Sequence, residues 1–153
     1  MPKFTPDPTK ASGGFPVLPK GSGYLFEIGE PKSFHNVSKK EGKADSHGVA
    51  YLCIVKVAPD NPEAVGKKYY QKCFQHTPES QDMAKQFLNA ALGCKTDEEF
   101  NTQYGSMDWG YDTDSKSAGD GWWKLKGQVI GGDVTIKVDP EFGEQNNIRW
   151  SVA

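Results

Sequence analysis

The stretch Thr77–Gly93, TPESQDMAKQFLNAALG, is the part of this chain with the clearest helical period. Thr77 suits the N-cap, Pro78 suits the first helical position, and Gly93 suits the residue that follows the last turn. Between them, apolar residues recur at helical spacing: Met83, Ala84, Phe87, Leu88 and Ala91. The pattern predicts an amphipathic helix over about residues 78–92 that buries this apolar stripe.

Three stretches before the helix alternate with the two-residue period of a strand. They are residues 23–28, 49–58 and 67–76. In the first of them, three apolar side chains share a face: Tyr24, Phe26 and Ile28. A long polar loop with an excess of basic residues, 33–48, is expected between the first two strands.

Two further strands are predicted near the end of the chain. Trp123, Leu125 and Val129 alternate with polar residues, so we expect them to face the core and Trp122 to face solvent. The pair Gly131-Gly132 bends this strand or divides it in two. The last strand places three apolar residues on one face: Ile148, Trp150 and Val152.

Between the long helix and these strands, Thr96–Glu99 forms a capping box that predicts a short helix carrying Phe100 and Tyr104. A polar loop, residues 105–121, follows and holds four aspartates: Asp108, Asp112, Asp114 and Asp120. Clustered carboxylates can bind Mg²⁺ or Ca²⁺, but the glycine and terminal glutamate of an EF-hand are missing. We interpret the stretch as a solvated loop without a metal.

The order of three strands, one principal helix and two or three strands predicts a mainly β domain. This is the order of an OB-fold, a five-stranded Greek-key barrel that binds oligonucleotides or oligosaccharides. A β-sandwich with a helix on one flank has the same order and remains the alternative. The domain is predicted to span residues 23–153, behind a proline-rich, flexible N-terminal arm, residues 1–22.

Composition excludes several classes of protein. No apolar run approaches the ~20 residues of a membrane helix, and the N-terminus lacks the apolar core of a signal peptide. We therefore expect a cytoplasmic protein, with Cys53, Cys73 and Cys94 as reduced thiols. Motifs for a nucleophile elbow, a phosphate loop or a dinucleotide site are absent from the sequence, so we expect no enzyme, no catalytic residue and no cofactor.

Charge is distributed unevenly along the chain. The formal net charge is −2, but residues 77–120 hold nine acidic residues and three lysines, a local net charge of −6. Because charges act over a Debye length of ~10 Å, the remaining segments can still form a basic face.

Aromatic residues interleaved with lysines are the strongest functional signal. Rings stack on unpaired bases while nearby cations bind phosphates, which predicts sequence-tolerant binding of single-stranded DNA. The candidate residues are Lys56, Lys68, Tyr70, Lys72, Phe74, Trp122, Lys124, Lys126 and Arg149. Two other readings remain open: the rings form the core with the lysines as its rim, or Tyr69, Gln71 and Cys73 form the outer face of their strand.

Short motifs add a resemblance. They are Leu18–Tyr24 (LPKGSGY), Val65–Lys68 (VGKK), Leu92-Gly93, Leu125–Gln128 (LKGQ) and Asn146–Ile148 (NNI). In these motifs, residues 18–153 resemble a family of phage replication modules, a domain of unknown function suspected of binding single-stranded DNA. The resemblance implies a phage-encoded, OB-like, non-enzymatic protein that acts in DNA replication or recombination in the infected cell, with other phage replication or recombination proteins as partners.

Two alternative functions belong to other classes. The acidic segment, residues 77–120, would suit a phage-encoded interaction module or an inhibitor that contacts a basic host protein. The aspartate cluster between Asp108 and Asp120 would suit a metal-dependent nuclease.

Overall fold

The computed structural model describes residues 16–37, 45–141 and 143–153. The strands are β1 (Gly21–Asn36), β2 (Ser46–Val57), β3 (Lys68–Phe74), β4 (Tyr111–Asp112), β5 (Ser117–Ala118), β6 (Val129–Asp139) and β7 (Gly143–Val152). Five of them form one antiparallel sheet in the order β3-β2-β1-β6-β7, and β4 pairs with β5 in a small hairpin. The protein is therefore mainly β, as predicted.

The helices are α1 (Pro78–Leu92), α2 (Asp97–Tyr104) and α3 (Asp120–Trp123), and a single 3-10 turn covers Pro62–Ala64. The bounds predicted for α1 are confirmed: the Thr77 hydroxyl accepts the Ser80 N–H at 3.1 Å, and Gly93 has a φ of 73°. The apolar stripe that was predicted to be buried is buried, except at Met83, which is 73% exposed. No helix in the described parts of the chain is long and apolar enough to cross a membrane.

Helix α1 packs against both edge strands of the sheet, β3 and β7. The ring centroids of Phe87 on α1 and Trp150 on β7 are 5.0 Å apart, and the Trp150 indole N–H donates to the Gln71 amide oxygen of β3 at 3.2 Å. Side chains thus connect the two edges. Within the described residues, β3 and β7 share no backbone pairing, so the sheet is not closed into a barrel.

Strand β1 is longer than predicted because it contains a bulge. Its register with β2 passes from Ile28 opposite Cys53 to Pro31 opposite Tyr51, which leaves one extra residue on β1. Gly29 lets the backbones of β1 and β2 approach closely at the bulge, because a Cβ there would lie 2.7 Å from the Leu52 carbonyl oxygen. The extra residue exchanges the two faces of the strand beyond it.

The predicted loop 33–48 is accordingly wrong at both ends. Ser33–Asn36 belongs to β1 and Ser46–Gly48 belongs to β2, where the two strands pair as a hairpin. Because most of these residues are polar, we expected their backbone N–H and C=O groups to bond to water. In the structure, pairing between the two strands provides those hydrogen bonds. Residues 38–44 lie outside the described part of the chain.

The strand predicted to begin at Trp123 begins only at Val129, as β6. The structure differs from the prediction over residues 120–128. This stretch is helix α3 followed by turns, in which the Lys126 N–H donates to the Trp123 carbonyl at 3.2 Å. Successive side chains therefore do not point alternately to the core and to solvent, as they would in a strand. Trp122 is 2% exposed and Trp123 is 42% exposed, the reverse of the prediction, and Val129 also faces solvent.

The end of the predicted arm packs on the domain. Leu18 is fully buried, and its N–H and carbonyl bond to the Asn146 side-chain amide at 2.7 and 2.9 Å. Strand β1 starts at Gly21. Residues 1–15 lie outside the described part of the chain.

Candidate nucleic-acid interface

The side of the sheet opposite the core and α1 is called the outer face here. Antiparallel register arranges its side chains in rows across β1, β2 and β3. The rows are Phe34, Gly48, Phe74; then Lys32, Ala50, Lys72; then Leu52 and Tyr70; then Ile54 and Lys68. The basic–aromatic face is defined as Lys32, Phe34, Lys68, Tyr70, Lys72 and Phe74.

Two phenylalanines form the aromatic end of this face. The rings of Phe34 and Phe74 meet edge to face at 5.3 Å across Gly48, which has no side chain to separate them. The Lys72 ammonium lies 5.9 Å from the Phe34 ring centroid. Both rings are half-buried, which leaves part of each surface open to a ligand.

The lysines beside these rings are exposed. Lys32 and Lys72 lie on either side of Ala50 in one row, and neither forms an ion pair with another residue that the structure describes. Rings and lysines therefore alternate over the same area of the outer face.

The register predicted for strand three is confirmed. Lys68, Tyr70, Lys72 and Phe74 share the outer face, while Tyr69 and Cys73 face the core. Burial raises the pKa of Tyr69 to about 12 and raises that of Cys73 further. The alternative in which Tyr69 and Cys73 form the outer face is therefore wrong.

Three predicted site residues do not join this face. Trp122 lies in the core, where its indole N–H donates to the Trp109 carbonyl at 2.8 Å. Lys124 lies near the C-terminal end of α1. Arg149 is on the outer side of β7, opposite Asp133 of β6. The predicted site therefore grouped residues that share a pattern of lysines and rings in the sequence but lie on different parts of the folded protein.

Two other predicted lysines lie at the margin of the face and are partly neutralised. The Lys56 ammonium is 3.1 Å from the Glu27 carboxylate, and the Lys126 ammonium is 3.7 Å from that of Glu30. Lys126 also lies 5.8 Å from the ring of Trp123, which is the exposed tryptophan of the pair. A recess at this corner is lined by Glu27, Glu30, Ile54 and Lys126, and Ile54 lies opposite Lys68 of the basic–aromatic face.

Sequence reasoning missed Lys32 and Phe34. In an unbroken strand Phe34 would point inward with Phe26 and Ile28, whereas the bulge turns it outward. The signal was present as Gly29-Glu30-Pro31, since glycine and proline inside a strand pattern indicate a bulge.

Metal ligands are not grouped in the described parts of the chain: no three His, Cys, Asp or Glu side chains are placed to hold one ion. Asp108 and Asp112 each accept a backbone N–H two residues ahead, from Gly110 and Asp114, at 2.8 and 2.9 Å. These carboxylates stabilise turns of the loop.

The cysteines are free thiols, and all three are buried. Burial raises the pKa of Cys53 to about 12, and it also raises the pKa of Cys73 and Cys94. A thiol with a raised pKa holds its proton at neutral pH and is a poor nucleophile.

Comparison of the chain with models of known protein families, with curated proteins and with solved structures gives no match. The geometry of the surface is therefore the basis on which a function can be assigned.

Proposed function

We propose that this protein binds single-stranded DNA on the basic–aromatic face and does so without catalysis. The observation that carries the proposal is the pair of half-buried rings of Phe34 and Phe74 on the outer face, flanked by Lys32 and Lys72. Each base stacked on a ring contributes ~1–3 kcal/mol, and every base has a face that can stack. Binding of this kind tolerates most sequences.

The proposal also treats the domain as an open, OB-like barrel. A meander of β1, β2 and β3, helix α1, and then the β6–β7 hairpin beside β1 support this assignment. OB-folds bind oligonucleotides on their second and third strands. Here β3 carries four of the six residues of the basic–aromatic face, and β2 forms the floor between them and the two residues of β1.

The biological setting is proposed from the resemblance in the short motifs alone. We propose that the protein acts in the cytoplasm of a phage-infected cell, in DNA replication or recombination, together with other phage replication or recombination proteins.

Salt-dependent binding tests the proposed function. Fluorescence anisotropy would follow a labelled mixed-sequence single strand as salt is raised, with the wild type and Lys32→Ala/Lys72→Ala. Because each phosphate contact on a single strand contributes about 0.7 to the slope of log affinity against log salt, the variant should lose about 1.4. The matched control, Lys95→Ala/Lys137→Ala, removes two exposed lysines elsewhere and should keep the wild-type slope. Absence of binding at low salt would contradict the proposal, as would an equal loss in the control.

A second candidate function has its own observation. Eight of the nine acidic residues in the segment 77–120 are exposed, and none of the nine forms an ion pair with a described residue. We propose as the alternative that this surface contacts a basic host protein, since complementary charge steers such encounters.

A pull-down from nuclease-treated host extract separates the two functions. The acidic surface is tested with Glu98→Gln/Asp114→Asn, and the basic–aromatic face with Lys32→Ala/Lys72→Ala. A host protein that the first variant loses and the second retains would support the alternative. A host protein retained equally by both would contradict it.

A further inference from the structure

A cleft of about 260 Å³ lies between the edges of β3 and β7, where the sheet is not closed. Side chains of β3, α1 and β7 line it, among them Phe74, Met83, Gln86, Asn147 and Trp150. It exists because β3 and β7 do not pair, while the Trp150 indole bridges them by bonding to Gln71.

This cleft is continuous with the basic–aromatic face. Lys72 and Phe74 belong to the outer face through their register with β2, and both also line the cleft. They can do so because β3 is the edge strand, so its outward side chains lie beside the opening. A nucleic-acid strand held on the face therefore meets the cleft directly.

The chemistry of the cleft differs from that of the face. The side chains of Gln86 and Asn147 are exposed, and neither amide bonds to another residue in the described ranges. Each amide offers donors and an acceptor together, the combination that pairs with the edge of a base. Met83, which is 73% exposed, supplies an apolar surface beside them.

An extended peptide fits this cleft less well than a base does. A peptide paired with β3 would lie ~4.8 Å from that strand. The Trp150 ring already packs beside β3, since its centroid is 6.1 Å from that of Tyr69 and its indole N–H donates to Gln71. A flat base needs no backbone pairing and enters from the open side.

We propose that the cleft receives one unpaired base of the bound strand, and that Gln86 and Asn147 read its edge. The inference rests on the proposed function. It adds a base preference to a surface whose other contacts, made by rings and cations, tolerate any sequence.

The test compares affinities for labelled dA, dC and dT homopolymers of equal length. The variant Gln86→Leu/Asn147→Leu removes both amides and keeps their approximate size, at exposed positions where the fold tolerates it. The matched control, Gln103→Leu/Gln145→Leu, removes two amides that lie outside the cleft. We expect the wild type and the control to rank the strands over about fivefold or more, and the variant to bind all three within about twofold.

Three results would overturn the inference. Wild-type affinities within twofold of one another would show that no base is read, while leaving the proposed function intact. A ranking that survives in Gln86→Leu/Asn147→Leu, or one that the control also loses, would place the preference outside the cleft. Failure of every strand to bind at low salt would instead remove the proposed function and this inference together.

Discussion

The basic–aromatic face and the segment 77–120 use the same residue types in opposite ways. On the face, Phe34 and Phe74 point outward among lysines. In the segment, Phe100 and Trp109 pack toward the core, and acidic side chains cover the outside. A net charge of −2 conceals both surfaces. The location of rings relative to charge, more than composition, therefore decides what such a domain can bind.

The largest expected effect tests whether these two regions share one core. Trp122 contacts Tyr51 of β2, and its ring lies 5.2 Å from that of Trp109 in the segment 77–120. Emptying this site in Trp122→Ala should cost ~3–5 kcal/mol and lower the Tm by roughly 10 °C. Thermal melts followed by circular dichroism would measure it. The control, Trp123→Ala, removes a 42% exposed ring and should cost less than about 1 kcal/mol; equal losses would contradict a shared core.

Alkaline pH should weaken the sheet interior. Burial raises the pKa of Cys53 from 9.0 and that of Tyr69 from 10.0, each to about 12. The unfolded chain releases these protons first, so stability is complete below about pH 9 and falls as the pH rises toward 12. Urea midpoints at about pH 8 and about pH 10.5 would show the fall. Tyr69→Phe keeps the ring and should reduce the fall, whereas a midpoint independent of pH would contradict the assigned burial.

A matched pair of phenylalanine variants separates binding from folding. Phe74→Leu keeps apolar volume but removes a stacking ring, so affinity for single-stranded DNA should drop by ~1–3 kcal/mol, about 5- to 150-fold, with little change in Tm. Phe100→Leu on α2 alters a buried contact and should lower the Tm while the folded protein keeps its affinity. If Phe74→Leu lowered the Tm and Phe100→Leu weakened binding of single-stranded DNA, the binding surface would instead lie on the helical side.

The smallest effect concerns the acidic residues. Glu98→Gln/Asp114→Asn removes two exposed charges from the segment 77–120, one on α2 and one between β4 and β5, neither of which belongs to the basic–aromatic face. Because exposed charges are screened over ~8 Å at physiological ionic strength, affinity for single-stranded DNA should change less than about twofold. Anisotropy at fixed salt measures this. A gain of about fivefold or more would show that the two regions are electrostatically coupled.

Helix α1 and strand β3 were predictable because their signals are local. The caps at Thr77 and Gly93 bond within a few residues of the helix ends, so they act alike in any tertiary setting. Simple alternation grouped Lys68, Tyr70, Lys72 and Phe74 on one side of β3, and the burial of Tyr69 and Cys73 showed that this side is the outer one. The candidate site was thereby found in part, without Lys32 and Phe34.

The failures occur where distant parts of the chain set the backbone. The Gly119 and Gly121 N–H groups donate to the carbonyls of Gly110 and Asp108, at 2.7 and 2.8 Å, and fix the start of α3 and of the turns after it. The Tyr51 hydroxyl also bonds to the Trp122 carbonyl. No local pattern contains these partners, so the alternation around Trp123 was read as a strand.

By itself, then, the sequence determined a mainly β domain, the position of α1, and a strand with rings and lysines on one side, because periodicity and capping depend on near neighbours. Tertiary structure decided which tryptophan is buried and brought Phe34 beside Phe74. It also left β3 and β7 unpaired around a cleft. These outcomes depend on one extra residue in β1 and on hydrogen bonds between remote segments, and both act through the packing of the whole chain.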